Sequence, residues 1–582
     1  MGAQVAYQRG VRNTLGEHRV KKGVAICERV RWAPLPMHAR AMLLASLVMP
    51  SSLYGFCVSG LTCSLMESLT AAVMRAVWGT KRKLRSKELV LSLLVPGHLA
   101  DPKQASIYQC FCIFRRFMRK HPDLHHVVAC LWNAYDQGDM RAPGPIRQLF
   151  QATAALGWQW VSIECFRRPG HCDLPLFGGP DSWWGHELRE GLRRMRWAEA
   201  ARKRKDMQGL DSSQGLDCNA STALLQKSSG LELGLMRAIL VGSVRLQKRL
   251  FEALLVDSPV CQFCGIAEET LGHCFWDCVH WTAMRAEYEL PDAYARQAWP
   301  VCTTECGLFL EDERMPALKD ELLAEEHIHA NFRSHFDLSS CRNAIAANEP
   351  LTLQIIWTDG ACSHNQDDRF RRAGSGIFYG CSHALNWCGI LPGLAQSNQR
   401  AELFAVLVAC LRDPRPLDIR SDSEWVGKGV HSCLLWVHDG WPGEHADLWD
   451  LLAGELCSRS SVVTVTWVKG HAKDIDVARG RTTREDKIGN DGADKLAVAG
   501  AVTHGIDLEV VKAAAERRRT AIQTHKMMLS ILLARQACEN DATHEADRGS
   551  DAGDCTDPDD MRFAWAEEEP ALPFEVDHLI DQ

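Results

Sequence analysis

The chain has 582 residues, of which 46% are hydrophobic and 24% charged, an ordinary globular composition whose length predicts three or four domains. Its formal net charge is −7, but residues 1–150 carry 21 Lys or Arg against 8 Asp or Glu, whereas residues 538–582 carry 15 acids and 2 arginines. A basic module followed by an acidic tail excludes a uniformly acidic protein and favours one that binds polyanions.

The 24 cysteines do not follow a disulfide-like spacing, and the first residues contain no apolar leader segment. We therefore expect an intracellular protein rather than a secreted one. Residues 41–66 contain no charged residue and are long enough to cross a bilayer. Pro50, Gly55 and Gly60 interrupt this stretch, so it favours a buried helix, a turn at residues 49–55 and a second helix, and we predict no membrane partner.

Residues 1–160 are predicted to be mainly helical, and they include a basic cluster that could contact backbone phosphates: Lys81, Arg82, Lys83 and Arg85. The alternative for this cluster is a solvated helix end. Residues 184–205 form a charged amphipathic pattern that predicts a helix. The following residues, 206–230, are rich in Gly and Ser and predict a linker.

A Cys-x₂-Cys-x₈-His-x₄-Cys motif follows, formed by Cys261, Cys264, His273 and Cys278. Three thiolates and one imidazole are the ligand set of a closed tetrahedral zinc site, which stabilises a fold and leaves no open position for catalysis. The alternatives are buried cysteines without metal, or a site that uses Cys274 or His280 instead.

Residues 351–501 alternate between strand and helix patterns. Strands are predicted at 353–360, 374–379, 384–388, 416–423 and 462–471. A helix is predicted to begin at the capping residue Ser397, with an apolar stripe at Phe404, Leu407, Val408 and Leu411. A second helix is predicted from Asn490. Four acids lie at strand ends or on these helices: Asp359, Glu402, Asp422 and Asp494. Taken singly, each acid could instead be a turn residue, a helix cap or a partner of a helix dipole.

Five motifs in this stretch resemble the signature of type 1 ribonuclease H, in order and in element type: Thr-Asp359-Gly, Arg-Ala-Glu402-Leu, Ser-Asp422-Ser, Val-Lys-Gly-His471-Ala and Asn-x-x-Ala-Asp494-x-Leu-Ala. The resemblance implies an α/β ribonuclease H-like domain, with a mixed five-stranded sheet and helices on both faces. It also implies an endonuclease that hydrolyses the RNA strand of RNA–DNA hybrids.

In-line hydrolysis of a phosphodiester requires charge neutralisation at the attacking water and at the leaving oxygen, and two hard cations on oxygen ligands supply it. Four clustered carboxylates would repel one another without metal, so the cluster predicts Mg²⁺, for which Mn²⁺ is a possible substitute. By resemblance, Asp359 bridges two ions, Glu402 completes one site, and Asp422 and Asp494 complete the other. His471 would move protons or help to release product.

The resemblance also implies how the hybrid is recognised, through Asn398, Gln399 and Arg400 at a helix entry and through Gly374 and Ser375, all facing the minor groove. The alternative for Asn398 is a helix cap. Two segments depart from the family. Residues 437–449, where some relatives carry a basic handle, contain no Lys or Arg, and the segment between His471 and Asp494 is longer than in the best-known relatives.

The helical N-terminal region and the Cys/His motif resemble segments that follow the polymerase in non-LTR retrotransposon proteins. This resemblance implies the C-terminal part of a retroelement polyprotein, in the nucleus or cytoplasm. The polymerase signature, an aromatic residue two positions before paired aspartates, does not occur. A separate reverse transcriptase chain is therefore a candidate partner, besides the RNA–DNA hybrid. The alternative function is a catalytically inactive, nucleic-acid-binding retroelement remnant.

The predicted organisation has eight segments. They are a thumb-like helical region (1–160), a charged helical segment (161–205), a linker (206–230), a zinc-binding module (231–300), a connector (301–348), a ribonuclease H domain (349–505), a helical extension (506–537) and an acidic disordered tail (538–582).

Overall fold

The computed structural model describes residues 13–79, 84–138, 144–171, 173–177, 181–315, 318, 321, 322, 325, 352–438 and 440–549. These residues form two compact units, the first within 1–177, 186–313 and 512–582, and the second within 178–185 and 314–511. Several predictions fall outside the described residues: those for Lys81, Arg82 and Lys83, for 326–348 of the connector, and for the tail from residue 550.

The first unit is mainly helical, as predicted for its N-terminal part. The α-helices up to residue 310 are Thr14–Val30, Met37–Leu47, Met49–Ser52, Phe56–Ser59, Cys63–Trp78, Lys87–Leu89, Gly97–Ala100, Pro102–Lys120, His125–Asp136, Pro145–Ala155, Asp181–Lys203, Cys218–Ser221, Gly230–Leu240, Gln247–Glu252, Thr282–Ala286, Ala293–Arg296 and Val301–Cys306. A small antiparallel sheet is formed by Gln159–Ser162, Cys165–Arg167 and Leu174–Pro175.

The uncharged stretch 41–66 is broken, as predicted, but not at the predicted turn: Met49–Ser52 is helical, and the breaks lie at Gly55 and Gly60. Gly55 and Gly60 have φ values of 78° and 58°, which break the helical path. Leu44, Met49 and Leu53 are buried within the core of the first unit. Within the described part of the chain, no helix combines the length and the apolar character needed to cross a membrane.

Residues 206–230 differ from the predicted linker, because they pack into the core of the first unit. Met207, Leu210 and Leu216 are nearly inaccessible to solvent. The buried carboxylate of Asp217 accepts a hydrogen bond from Arg517 Nε at 2.9 Å. The Gly residues that suggested a flexible linker form tight turns between these buried side chains.

The helix Leu508–Gly549 belongs to the first unit from residue 512 onward. Its side chains Met527, Met528 and Ile531 are buried in the same core, and Ser530 Oγ lies 2.6 Å from Tyr288 Oη. The helix continues to residue 549, although disorder was predicted from residue 538. Acidic composition does not by itself prevent a helix, since Ala and Glu, which recur in 538–549, are good helix formers.

The second unit contains one mixed sheet of five strands, which we label β1 (Gln354–Ser363), β2 (Arg372–Phe378), β3 (Trp387–Ile390), β4 (Leu417–Ser421) and β5 (Val463–Trp467). The strand order is β3-β2-β1-β4-β5. The first three strands form an antiparallel meander, while β4 pairs in parallel with both β1 and β5. The helices are α1 (Asn398–Arg412), α2 (Glu424–Cys433), α3 (Ala446–Ser458), α4 (Asp474–Ala478) and α5 (Arg484–Thr503).

Helices cover both faces of this sheet, as the fold class predicted. A Cβ atom added at Gly374 or Gly376 would collide with the backbone of α5. The side chain between them, Ser375, points to the opposite face, where its Oγ donates a hydrogen bond to the Ala401 carbonyl of α1 at 2.6 Å. Successive residues of a strand face opposite sides, so α1 and α5 lie on opposite faces.

This packing corrects the prediction that Gly374 and Ser375 contact substrate. Both residues are buried in the middle of β2, between two helices. The Gly-Ser-Gly run allows close helix packing and does not form an exposed turn, because α5 approaches the strand too closely for any side chain at Gly374.

Helix α1 forms as predicted. Its capping residue Ser397 accepts a hydrogen bond from Arg400 N at 3.2 Å. The predicted apolar stripe, Phe404, Leu407, Val408 and Leu411, is buried in the core of the second unit. Capping and burial together fix the position of the first turn of α1, which carries Glu402.

The substitution Gly376→Ala tests the close packing of β2 and α5. We expect it to lower the free energy of unfolding by about 1–3 kcal/mol, because the added methyl group would overlap the Ala493 carbonyl and the backbone must move apart. The control is Gly454→Ala in α3, where a Cβ atom meets no neighbour and should stabilise by about 0.5–1 kcal/mol. Urea unfolding curves measure both, and equal effects would contradict the packing.

Candidate active site and metal centres

Asp359 and Asp422 lie side by side because β1 and β4 are parallel and in fixed register. Thr358 is paired with Ser421, so the next residue of each chain segment reaches the same edge of the sheet. Asp359 lies in β1 and is only 6% exposed, whereas Asp422 follows β4 directly and is half-buried. The parallel pairing ends at this point, although β1 itself continues to Ser363 along β2, so the two acids lie side by side where β4 ends.

Glu402 joins these two acids from the first turn of α1. Gly360 makes this possible, since a Cβ atom there would overlap the backbone of Ala401 and Glu402. Carboxylate oxygens of Asp359, Glu402 and Asp422 lie within 4.8 Å of one another. Three acids that are distant in sequence therefore converge on one point.

The electrostatics of this cluster disfavour its full ionisation. Burial, with the nearby charges of Asp422, Asp494 and Glu402, raises the pKa of Asp359 from 3.8 to about 8. Burial and the charge of Asp422 also raise the pKa of Glu402, although hydrogen bonds from Ser423 and Asn398 oppose this effect. A divalent cation would remove the repulsion, and hard carboxylate oxygens are the ligands that Mg²⁺ prefers.

Asp494 is near this cluster without belonging to its closest group. Its charge contributes to the raised pKa of Asp359, but its carboxylate is not among the three that lie within 4.8 Å. Asn490, one helical turn earlier in α5, is 2% exposed, and its Nδ2 lies 3.5 Å from Asp422 Oδ2. Helix α5 thus places two polar side chains beside the cluster: the amide of Asn490 and, one turn later, the carboxylate of Asp494.

His471 is exposed and follows β5 by four residues. Its φ of 46° lies in the left-handed region, which a non-glycine residue seldom adopts. The preceding Gly470 lies directly against Asp422, because a Cβ atom there would collide with the carboxylate. The imidazole therefore extends from a backbone that touches the acid cluster.

The three residues predicted to bind substrate at the entry of α1 have different environments. Asn398 and Gln399 are exposed. Asn398 does not cap the helix, since Ser397 does; its Nδ2 donates a hydrogen bond to Glu402 Oε1 at 3.0 Å. Arg400 is 3% exposed and its guanidinium binds both carboxylate oxygens of Asp447, so it is held inside the unit.

Sequence reasoning assigned no role to three side chains that contact the acids. Ser423 hydrogen-bonds Glu402, Asn490 contacts Asp422, and Trp467 Nε1 donates to the Asp422 carbonyl at 3.1 Å. The i, i+4 spacing of Asn490 and Asp494 was a visible signal for the second of these. The contact from Trp467 depends on the pairing of β4 with β5, which the sequence does not specify.

A second candidate metal centre lies in the first unit. Ligand atoms of Cys261, Cys264, His273 and Cys278 lie within 4.8 Å of one another. The Cys264 sulfur is 3.3 Å from His273 Nε2, and the sulfurs of Cys261 and Cys278 are 3.9 Å apart. A hydrogen bond from the Ile266 backbone lowers the pKa of Cys264 to about 6. Cys264 can therefore present a thiolate to a metal ion near neutral pH.

The two substitute ligands considered from sequence lie apart from this group. Cys274 is buried beside Arg535, whose Nη1 lies 3.7 Å from its sulfur. His280 packs its ring against Trp281 and Phe263. The four residues of the Cys-x₂-Cys-x₈-His-x₄-Cys motif are therefore the set that the fold brings together.

Comparison with known proteins agrees with the geometry of the second unit. Residues 352–502 match the RNase H family. Ribonuclease H of Saccharopolyspora erythraea is 35% identical over 157 residues, which cover 25% of this chain and 88% of that protein. Ribonuclease H of Rickettsia bellii is 31% identical over 171 residues, which cover 27% of this chain and 93% of that protein.

Among solved structures, the solution structure of the PFV RNase H domain is similar at 26% identity, with a TM-score of 0.21. The match covers 26% of this chain and 94% of that domain. The identity and coverage of the two bacterial relatives, together with the family match, show that this chain belongs to the ribonuclease H family through residues 352–502.

Proposed function

We propose that this chain hydrolyses the RNA strand of RNA–DNA hybrids endonucleolytically, as a type 1 ribonuclease H with two Mg²⁺ ions, for which Mn²⁺ can substitute. The observation that carries this proposal is the convergence of Asp359, Glu402 and Asp422 within 4.8 Å, with a raised pKa at Asp359. Structural acids are usually paired with a base or exposed to water. These three face one another instead, at a cost that bound cations would offset without protonation of Asp359.

The side chains around the cluster would position its ligands. Asn398 orients Glu402, and Asn490 orients Asp422, each through an amide N–H. Asp494 adds a fourth negative charge on the α5 side. Cations held there would neutralise charge on the attacking water and on the leaving 3′ oxygen. His471, exposed beside the cluster, would accept or deliver a proton, or assist product release.

We also propose that the Cys/His cluster binds one Zn²⁺ as a structural ion. Three sulfurs and one imidazole nitrogen fit tetrahedral zinc and leave no position for substrate. This module and the helical N-terminal region support an origin in a retroelement polyprotein, with a separate reverse transcriptase chain as a candidate partner and a nuclear or cytoplasmic location. The alternative is a catalytically inactive remnant that still binds nucleic acid.

The substitution Asp359→Asn tests the enzymatic proposal. We expect Mg²⁺-dependent cleavage of a labelled RNA–DNA hybrid by the full chain to fall by at least about 10²–10³-fold, the typical loss when one electrostatic group is removed from an active site. Glu424→Gln is the matched control, because this acid is exposed and paired with Lys428. Equal cleavage by wild type and Asp359→Asn would contradict the mechanism, and hybrid binding without cleavage by wild type would favour the inactive remnant.

The raised pKa of Asp359 predicts how stability depends on pH in EDTA. The folded-state pKa of about 8 lies above the ordinary 3.8. The contribution of the protonated Asp359 carboxyl to the free energy of unfolding is therefore fully present below about pH 4. It is lost as the pH rises towards 8. The Tm of Asp359→Asn should therefore exceed that of wild type increasingly from pH 4 to 8, by about 2–4 °C per kcal/mol relieved.

Addition of Mg²⁺ at pH 8 should close this gap by raising the Tm of wild type, since cation binding replaces protonation. The exposed Glu424→Gln variant should show no gap in either condition. If the difference in Tm between wild type and Asp359→Asn does not change with pH, the raised pKa of Asp359 is contradicted.

Metal analysis of the purified full chain tests the zinc proposal. We expect about one zinc per wild-type chain and a loss of zinc from Cys264→Ser, because three ligands hold the ion far less tightly than four. Cys274→Ser is the matched control and should retain zinc, since its sulfur contacts Arg535. Zinc-free wild type, or a loss of zinc from Cys274→Ser alone, would contradict the assigned ligand set.

A further inference from the structure

The segment that connects β5 with Asp494 of α5 contacts the side chain of Asp422 twice, near its start and near its end. Gly470 packs against the Asp422 carboxylate, and Asn490 Nδ2 lies 3.5 Å from the same group. Residues 470–490 therefore leave the acid cluster and return to it. We name residues 470–490 the basic segment.

Two buried acids fix the basic segment. Asp476 accepts hydrogen bonds from Lys473 N at 3.0 Å and from Arg481 Nη1 at 3.4 Å, and it pairs with Lys469 Nζ at 3.1 Å. Asp486 accepts hydrogen bonds from Trp357 Nε1 at 3.3 Å and from Arg420. Two of the four negative charges of the segment are thus neutralised by internal contacts, and its backbone is held in place.

Four of the five positive side chains of the segment face the solvent, and the fifth, Lys487, pairs with Asp491. Lys473, Arg479, Arg481 and Arg484 are exposed. Only two acids of the segment, Asp474 and Glu485, are equally exposed. Across the described residues, Lys473, Arg479 and Arg484 form no ion pair, so their charges are not neutralised by this chain.

We propose that the basic segment binds the phosphate backbone of the nucleic-acid substrate next to the cutting site. This inference rests on the proposed function and names a part of its substrate-binding surface. The acid cluster repels a polyanion, and the segment 437–449 offers no Lys or Arg to compensate. Three exposed and unpaired cations, on a fixed segment that starts and ends at Asp422, provide that attraction next to the acid cluster.

Phosphate contacts of this kind carry no sequence information, so they would increase affinity for any hybrid equally. Each contact also releases counterions from the duplex, which makes its contribution fall with increasing salt. The signature of the basic segment is therefore a salt-dependent change in KM rather than a change in cleavage position.

The test variant combines Lys473→Gln, Arg479→Gln and Arg484→Gln in the full chain. We expect the KM for a labelled RNA–DNA hybrid to rise about tenfold near 0.1 M salt, while kcat changes by less than about threefold. The slope of log KM against log salt should fall by about 0.7–0.9 for each phosphate contact that is lost. Unfolding curves of the variant confirm that its fold is retained.

The matched control removes three other exposed charges, through Arg518→Gln, Arg519→Gln and Lys526→Gln in the helix Leu508–Gly549. It should leave KM and the salt slope unchanged. An equal rise of KM in the control would show a general charge effect and overturn the proposal. An unchanged KM in the test variant would overturn it as well.

Binding of the same hybrid, measured by fluorescence anisotropy in the Asp359→Asn background, separates this inference from the proposed function. If the wild type does not cleave the hybrid, only the proposed nuclease activity is contradicted. The Kd still decides the role of the basic segment: weaker binding after the triple substitution supports it, and an unchanged Kd refutes it.

Discussion

The parallel pairing of β1 with β4 is the constraint on which the second unit depends. Its register sets Thr358 opposite Ser421 and so delivers Asp359 and Asp422 to the same edge of the sheet. Burial at that edge makes their proximity unfavourable, which is visible in the raised pKa of Asp359. The hydrophobic core beneath, formed around side chains such as Ile356 and Ile419, must supply the energy that holds the acids together.

Glycines let the rest of the unit close around this edge. Gly360 admits the first turn of α1 and with it Glu402, while Gly374 and Gly376 admit α5 on the other face. Gly470 lets the chain pass directly over Asp422. The site therefore depends on these glycines as much as on the acids. Each glycine lets a neighbouring backbone segment approach closely enough to place an acid at the cluster.

The sequence predicted five strands and the start of α1 in the second unit, because periodicity and capping are local properties. It placed the start of the last helix at Asn490 rather than at Arg484, and it did not predict α2, α3 or α4. The burial of Phe404 and the cap at Ser397 followed directly from spacing. The predicted substrate contacts of Gly374 and Ser375 were wrong, because the role of these residues depends on which helices cover β2. The linker prediction for 206–230 failed for the same reason, since the partners of Leu210 and Asp217 are remote in the chain.

The course of the helix Leu508–Gly549 has a consequence for synthesis. Its residue Arg535 forms a buried ion pair with Glu269, beside the cysteine cluster, so the first unit draws its core from segments on both sides of the second unit in sequence. The ribosome must finish the second unit before it reaches this helix. The second unit can therefore fold during synthesis before the first unit is complete. The first unit can complete its core only after the helix Leu508–Gly549 has been synthesised.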